Sequence, residues 1–125
     1  PCFFMTWGRR DGDKRNTQVY PDFSTMHGKI SGAYEKAGRE NDSLIAPVGH
    51  AFSIIHSQDK ALFKKLYKKD GSHPSPQGGY LAACVLWATV TGKEPTLIGW
   101  NGVLKPGDAK LLRSAASKAI KQNKP

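Results

Sequence analysis

The chain is poor in cysteine, with only Cys2 and Cys84 among its 125 residues. Two cysteines are too few for the disulfide framework of a small secreted domain, and Cys84, in "LAACVLW", is expected to be a buried thiol. Long apolar runs are also absent, since no stretch approaches the roughly 20 apolar residues that a membrane-spanning helix needs. The sequence therefore predicts a soluble domain without a membrane span.

The chain has fewer acidic than basic residues. Ten Asp and Glu stand against nineteen Lys and Arg, which gives a formal net charge of +9. Such an excess permits a nucleic acid, an anionic membrane or an acidic polymer as partner and does not choose among them. The lysines concentrate in two stretches, 60–69 and 105–124, that are typical of solvated helix faces. Because the aromatic residues follow helical periodicity on the other faces, we do not expect a nucleic-acid surface.

The first part of the chain has the pattern of a parallel crossover unit. The apolar run 2–7 is typical of a buried strand, and a loop rich in Gly and Asp follows it. Apolar residues recur at helical spacing over 23–37, with Asp22 or Ser24 available as the N-cap. The run 43–49 predicts a second short strand. Strand, helix and strand in this order favour two parallel strands joined by the helix.

The second half is predicted to be mainly helical. A broken helical region covers 51–67, and a helix that starts after Ser75, with Pro76 at its first position, should end at Gly92. The segment "TLIGWNGVL", 96–104, fits either a short strand or a packed loop. A last helix is predicted over 108–121 with its lysines outward. Trp87 and Trp100 are expected to be core residues.

An acid and a histidine stand three residues apart in the turn "DGSHPS". At this spacing the carboxylate of Asp70 can accept the Nδ1 proton of His73, which fixes the tautomer and leaves Nε2 free to take a proton from a nucleophile. The same spacing is common in surface turns, where an Asp side chain bonds the backbone amides that follow it. The spacing alone leaves both interpretations open.

The longer phrase "DGSHPSPQGGYLAACVLWATVTGKEP", 70–95, resembles the last conserved block of the SGNH hydrolases, the flavodoxin-like relatives of the GDSL esterases. In that family an Asp-x-x-His-Pro-Ser turn is followed by Gly-x-Tyr-Leu-Ala and by a helix ending in Thr-Gly. The residues that match are Asp70, His73, Pro74, Ser75, Gly79, Tyr80, Leu81, Ala82, Thr91 and Gly92. The stretches "FFMTWGRRDGD", "APVG" and "LLRSAASKAI" stand in the order expected of the family's C-terminal half, as a sheet strand with its loop, the last strand and the closing helix. The resemblance therefore covers nearly the whole chain.

The resemblance implies that residues 1–125 are the C-terminal half of a flavodoxin-like three-layer α/β/α sandwich with a parallel sheet. In the family, a Gly-Asp-Ser type block near the N-terminus carries the nucleophilic serine, and upstream blocks supply the oxyanion donors. No serine of this chain stands in a strand-to-helix elbow such as Gly-x-Ser-x-Gly. The serines are Ser24, Ser31, Ser43, Ser53, Ser57, Ser72, Ser75, Ser114 and Ser117. We therefore expect an N-terminal half of the same fold, as a second chain or a precursor region, to supply the nucleophile.

The two predicted strands also indicate a missing N-terminal half. A sheet made only of "CFFMTW" and "LIAPV" would leave one edge of the first strand unpaired and hydrophobic. Such an edge favours pairing with a further strand from the missing half.

Other side chains are candidates for contact with a substrate. His50 directly follows the second predicted strand, at the end of the strand where open α/β sheets bind their ligands. Trp7 and Arg9 lie at the corresponding end of the first strand, where they either meet the substrate or belong to a solvated loop. No metal site is expected, because His27, His50 and His56 lack Cys, Asp or Glu partners at ligand spacing.

The resemblance implies ester hydrolysis, with an acetylated carbohydrate or a small acyl ester as substrate and with no cofactor. His73 would be the catalytic base and Asp70 the carboxylate that orients it. The alternative is a non-catalytic, hydrolase-like scaffold or interaction domain whose basic surface binds an acidic partner. A Gly-Asp-Ser-like block upstream of Pro1 would favour the enzyme over the scaffold.

Overall fold

The computed structural model describes residues 1–124 as two short strands and five α-helices. In chain order these are β1 (Cys2–Phe4), α1 (Phe23–Glu40), β2 (Leu44–Ala46), α2 (Val48–Gln58), α3 (Lys60–Lys65), α4 (Pro76–Thr91) and α5 (Pro106–Gln122), with a 3-10 turn at Pro95–Leu97. The protein is therefore a mixed α/β structure in which helix predominates. Residues 1–124 include no helix with the length and apolar character needed to cross a membrane.

The two strands pair in parallel, as the order of strand, helix and strand predicts. Cys2 stands opposite Leu44, and Phe4 stands opposite Ala46. Both strands are shorter than the apolar runs that predicted them. The second strand ends at Ala46 because α2 begins at Val48, so the residues expected to finish the strand instead form the first turn of a helix.

One edge of β1 is open. Met5 N–H donates to the carbonyl oxygen of Ala46 over 3.0 Å, which continues the pairing with β2. Because alternate residues of a strand direct their N–H and C=O groups to the same side, those of Cys2 and Phe4 point away from β2. Both residues are exposed. This is the kind of strand edge that pairs with a further strand.

The hydrophobic core lies where α2, α4 and α5 meet. Phe52 and Ile55 from α2, Leu81 and Val85 from α4, and Leu112 from α5 are almost wholly removed from solvent. The buried side chains of α5 are mostly small, and small side chains let the axes of the three helices approach closely. The core is therefore built mainly by the C-terminal two thirds of the chain.

The face of α1 that packs against the rest of the chain is not its most apolar one. His27 and Ser31 are buried there. The periodic apolar residues Met26, Ile30 and Tyr34 are only half-buried. An apolar stripe on α1 thus stays partly accessible to solvent or to a partner.

The helix α4 begins and ends where the sequence predicts. The side chain of Ser75 accepts a hydrogen bond from Gly78 N–H at the first turn, and Gly92 ends the helix in the left-handed region at φ 71°. Cys84 is buried on this helix, as expected. The broken helical region before it is two helices, divided at Asp59, whose carboxylate accepts from Leu62 N–H over 3.0 Å.

The prediction that Trp100 is a core residue is wrong. Its side chain is 69% exposed, because the segment 96–104 forms a 3-10 turn and a loop on the outside of α4 and α5. Tyr80 on α4 donates its hydroxyl proton to the backbone carbonyl of Trp100 over 2.7 Å. The loop backbone is thereby held against the helix while the indole ring faces outward.

Candidate functional site

A closed turn between α3 and α4 carries the acid and the histidine. Lys68 N–H donates to the carbonyl oxygen of His73 over 2.8 Å, and Tyr67 and Pro74 form an antiparallel bridge beside this bond. Gly71 lies in the left-handed region at φ 68°, where glycine is favoured, and its N–H donates back to Lys68 over 2.9 Å. The turn is thus fixed at both ends directly before α4.

The carboxylate of Asp70 makes three contacts inside this turn. Its Oδ1 accepts hydrogen bonds from the backbone N–H groups of Ser72 (2.9 Å) and His73 (3.0 Å). Its Oδ2 lies 2.5 Å from Nδ1 of His73. The Ser72 amide above all, then the imidazole and the amide of His73, hold the pKa of Asp70 well below its usual range. The carboxylate is therefore ionised at neutral pH and acts as an acceptor only.

The imidazole of His73 is held at one nitrogen and free at the other. In the neutral imidazole, Nδ1–H donates to the carboxylate of Asp70, so Nε2 carries the lone pair. Within residues 1–124 no group forms a hydrogen bond with Nε2, and the side chain is 73% exposed. A carboxylate that fixes the tautomer of an accessible imidazole is the arrangement of a general base and its orienting partner.

The loop after β1 is attached to this turn by two hydrogen bonds. Nε1–H of Trp7 donates to the carbonyl oxygen of Ser72 over 3.1 Å, while its ring stacks on Phe52 with centroids 4.5 Å apart. Arg10 N–H donates to the carbonyl oxygen of Gly71 over 2.8 Å. Trp7 was predicted as a substrate-binding residue, and the structure places it beneath the turn, where it positions Ser72 and its neighbours.

Tyr67 adds a third link between the same two segments. Its hydroxyl donates to the carbonyl oxygen of Gly8 over 2.7 Å. Burial raises the pKa of Tyr67, so the phenol keeps its proton at any physiological pH and remains a donor. The end of β1 and the start of the turn are thus tied together by a side chain that is buried between them.

Arg9 is engaged away from the turn. Its Nη1 lies 3.3 Å from Oδ1 of Asp13, and its backbone N–H donates to the sulfur of Met26 over 3.4 Å. These contacts belong to its own loop and to α1. None of them brings Arg9 to the imidazole of His73.

His50, the other predicted substrate contact, lies in a second polar cluster together with Glu35 and His27. Nε2 of His50 is 2.8 Å from Oε1 of Glu35, and Nδ1 of His50 is 3.1 Å from Nε2 of His27. With a neutral His50 beside the Glu35 carboxylate, Nε2–H of His50 donates to Glu35, and Nδ1 of His50 then accepts from Nε2–H of His27. The hydrogen bonds therefore run in one direction along all three side chains.

This order leaves Nδ1 of His27 as a bare acceptor inside the protein. The atom is buried and has no hydrogen-bond partner among the described residues. Burial above all, followed by the proximity of His50, lowers the pKa of His27 to about 4. Sequence reasoning missed this cluster. The signal was present, since His27 and Glu35 are two helical turns apart on one face of α1.

The Asp70–His73 turn is a surface feature. A cleft of about 670 Å³ lies elsewhere, between the free edge of β2 and the C-terminal ends of α1, α4 and α5, and is lined by charged residues such as Arg39 and Glu94. The residues 1–124 contain no group of three His, Cys, Asp or Glu side chains able to hold a metal ion. The turn can accept and return a proton. Because no nucleophilic side chain among residues 1–124 forms a hydrogen bond with Nε2 of His73, a nucleophile would have to come from a partner segment.

No protein-family model and no curated protein matches this chain. The structure is similar to the crystal structure of a DUF4886 family protein from Bacteroides uniformis, with a TM-score of 0.82. The two sequences are 23% identical over 96% of this chain and 47% of the other protein. The likeness therefore extends to the fold, and this chain spans about half the length of that protein.

Proposed function

We propose that this chain supplies the histidine and the aspartate of the catalytic triad of an SGNH-type serine ester hydrolase. The observation that carries the proposal is the 2.5 Å contact between Oδ2 of Asp70 and Nδ1 of His73, with the opposite nitrogen of the imidazole accessible. The sequence resemblance across 70–95 supports it independently, because it places these two residues at the acid and base positions of that family.

The chemistry follows from the geometry of the turn. A serine hydroxyl attacks the acyl carbonyl carbon, and Nε2 of His73 takes the hydroxyl proton as the C–O bond forms. The imidazolium then returns this proton to the leaving alcohol, which yields an acyl-serine. Water attacks the acyl-serine with the same imidazole as base. Asp70 remains ionised throughout and stabilises the imidazolium.

The nucleophile in this proposal comes from an N-terminal half of the same fold. Two surfaces support such a partner: the open edge of β1 at Cys2 and Phe4, and the half-buried apolar stripe of α1. The solved structure with a similar fold is about twice as long as this chain. A further set of strands on the edge of β1 would complete a parallel sheet with helices on both faces, the flavodoxin-like three-layer sandwich.

The substrate class we propose is an acetylated carbohydrate or a small acyl ester. The exposed position of His73 supports an ester presented on the surface of a larger molecule as well as a small free one. The chemistry requires neither a metal ion nor an organic cofactor.

One observation favours a second function, a non-catalytic scaffold. Oδ1 of Asp70 accepts from two backbone amides, and these bonds would hold the turn whether or not His73 acts as a base. In that case the basic surface of the chain would bind an acidic partner. The two functions differ in whether a reactive serine accompanies the chain.

The test begins with the protein purified from its natural source. Intact-mass analysis under reducing and non-reducing conditions asks whether a second polypeptide accompanies the chain, and a fluorophosphonate probe asks whether that material contains an activated serine. Expected results are a companion segment with a Gly-Asp-Ser block and probe labelling on that serine. With p-nitrophenyl acetate as substrate, His73→Ala should then lower kcat by roughly 10³-fold or more.

Lys69→Ala is the matched control, since Lys69 is an exposed neighbour in the same turn. This variant should keep the activity of the unmodified complex. A chain that is folded, alone and unreactive toward the probe would overturn the hydrolase proposal in favour of the scaffold.

A further inference from the structure

Three large apolar side chains of the segment that connects α4 to α5 are exposed to solvent. They are Leu97, Trp100 and Val103, which are 74%, 69% and 87% exposed. We call this set the Trp100 ridge. The three residues recur at every third position of the segment that connects α4 to α5. Three large apolar side chains with this degree of exposure within seven residues are unusual in a water-facing surface.

The ridge is exposed although its backbone is firmly held. Arg113 on α5 donates through Nη1 to the hydroxyl of Tyr80 (2.9 Å) and to Oδ1 of Asn101 (2.7 Å). The hydroxyl of Tyr80 donates in turn to the carbonyl oxygen of Trp100. Gly102 adopts a left-handed conformation at φ 61°, with the Trp100 ring packed against it. A loop fixed in this way presents its apolar side chains in one constant arrangement.

The surroundings of the ridge are basic. Lys93 and Lys105 are exposed and flank the connecting segment at its two ends. The guanidinium of Arg113 is half-buried beneath the ridge, and no carboxylate among residues 1–124 forms an ion pair with it. The one acid in the segment, Glu94, faces Lys121 at 3.9 Å. The region around the ridge thus holds three basic residues, Lys93, Lys105 and Arg113, against two acids, Glu94 and Asp108 of the first turn of α5.

We propose that the Trp100 ridge is a peripheral docking site for an anionic phospholipid surface. Tryptophan favours the level of the lipid headgroups, where its ring is apolar and its N–H remains hydrated. Leu97 and Val103 would insert beside it, while Lys93, Lys105 and Arg113 meet lipid phosphates. The net charge of +9 attracts the whole chain to such a surface.

The size of the ridge distinguishes a lipid surface from a protein partner. A stable protein interface buries about 800 Å² on each side, far more than three side chains provide. Membrane association by shallow insertion needs only a few apolar tips when basic residues surround them. This site uses none of the residues of the Asp70–His73 turn, so the inference does not depend on the proposed hydrolase activity.

Vesicle co-sedimentation of the purified chain tests the proposal. The probes are vesicles of phosphatidylcholine alone and of phosphatidylcholine with phosphatidylglycerol, at low and at high salt. We expect binding to the anionic vesicles, loss of that binding at high salt, and little binding to the neutral ones. The double variant Trp100→Ala with Val103→Ser should weaken the partition coefficient by about tenfold or more.

Leu44→Ser is the matched control. Leu44 is 60% exposed on β2, and its loss removes a comparable apolar side chain that is not part of the Trp100 ridge. This variant should bind vesicles like the unmodified chain. Sedimentation velocity without vesicles tests the alternative that a second copy of the chain covers the ridge. Equal losses in both variants, absence of vesicle binding, or a dimer that the Trp100 variant abolishes would each overturn the proposal.

Discussion

The indole N–H of Trp7 donates a hydrogen bond to the carbonyl oxygen of Ser72, 65 residues further along the chain. This bond joins the end of β1 to the residue directly before His73. Trp7→Phe removes the bond and keeps an aromatic ring against Phe52. We expect the free energy of unfolding to fall by about 1 kcal/mol, the usual value of one hydrogen bond. Urea unfolding followed by circular dichroism measures this change.

The same variant should also loosen the turn. Backbone amide exchange at Ser72 and His73 should accelerate in Trp7→Phe more than exchange in the centre of α5, which serves as the internal control. Unchanged exchange at both positions would contradict a positioning role for Trp7.

The Asp70 side chain contacts both the backbone amides of the turn and the imidazole of His73, and Asp70→Asn affects only the contact with the imidazole. The amide oxygen of Asn can still accept from the backbone N–H groups of Ser72 and His73, so the turn should persist. The carboxylate that holds Nδ1–H of His73 is lost, and we expect both neutral tautomers of the imidazole to be populated. The ¹⁵N chemical shifts of the imidazole nitrogens at alkaline pH report the tautomer directly.

Asp70→Ala is the companion variant, in which the contacts with the backbone amides and with the imidazole are both lost. It should be less stable than Asp70→Asn by roughly 1 kcal/mol, because the two backbone amides lose their acceptor. A single Nδ1–H tautomer that survives in Asp70→Asn would show that Asp70 does not set the state of the imidazole.

His27 makes stability depend on pH. Its pKa in the folded protein, lowered to about 4 chiefly by burial and then by His50, lies below its ordinary value near 6.5. Between these values the unfolded chain binds a proton that the folded chain does not, so stability is full above about pH 6.5 and falls as the pH drops toward 4. The expected loss is about 3 kcal/mol.

His27→Gln removes this titration while its side-chain amide can still donate to His50. Urea unfolding between pH 7 and pH 4 should show a shallower fall in stability for the variant than for the unmodified protein. Equal slopes for the two proteins would mean that His27 gains its proton in the folded state as easily as in the unfolded state.

Two adjacent glycines of α4 should respond to alanine in opposite directions. A Cβ on Gly78 would overlap the backbone carbonyl oxygen of Leu66, whereas a Cβ on Gly79 would meet open space. Gly78→Ala should therefore destabilise the protein by roughly 2 kcal/mol or more, since backbone must move. Gly79→Ala should stabilise it by about 0.5–1 kcal/mol through helix propensity. Thermal unfolding of the pair would test the fit of α4 against α3, and equal shifts would contradict it.

The features of the fold that local interactions determine were predictable from the sequence. The N-cap Ser75 and the terminal Gly92 define α4 through groups within a few residues of each end. The contact between Asp70 and His73, three residues apart, is also present, and its catalytic use stays a prediction. The parallel order of the strands followed from the alternation of strand and helix.

The remaining features depend on residues that are distant in sequence. The role of Trp7 rests on a carbonyl 65 positions away, which no local pattern signals. The prediction of Trp100 as a core residue rests on helical periodicity, but the bonds from Tyr80 and Arg113 hold its loop outside the helices. His50 contacts Glu35 and His27 because tertiary packing brings α1 and α2 together.

The open edge of β1 leads without interruption into the residues that hold the turn. Only two residues separate Phe4 from Trp7, and Trp7 contacts Ser72 directly. Any strand that pairs with Cys2 and Phe4 therefore restrains, through Trp7, the backbone on which His73 stands. In the hydrolase that we propose, completion of the sheet at β1 would therefore also reduce the motion of the turn that carries the proposed base.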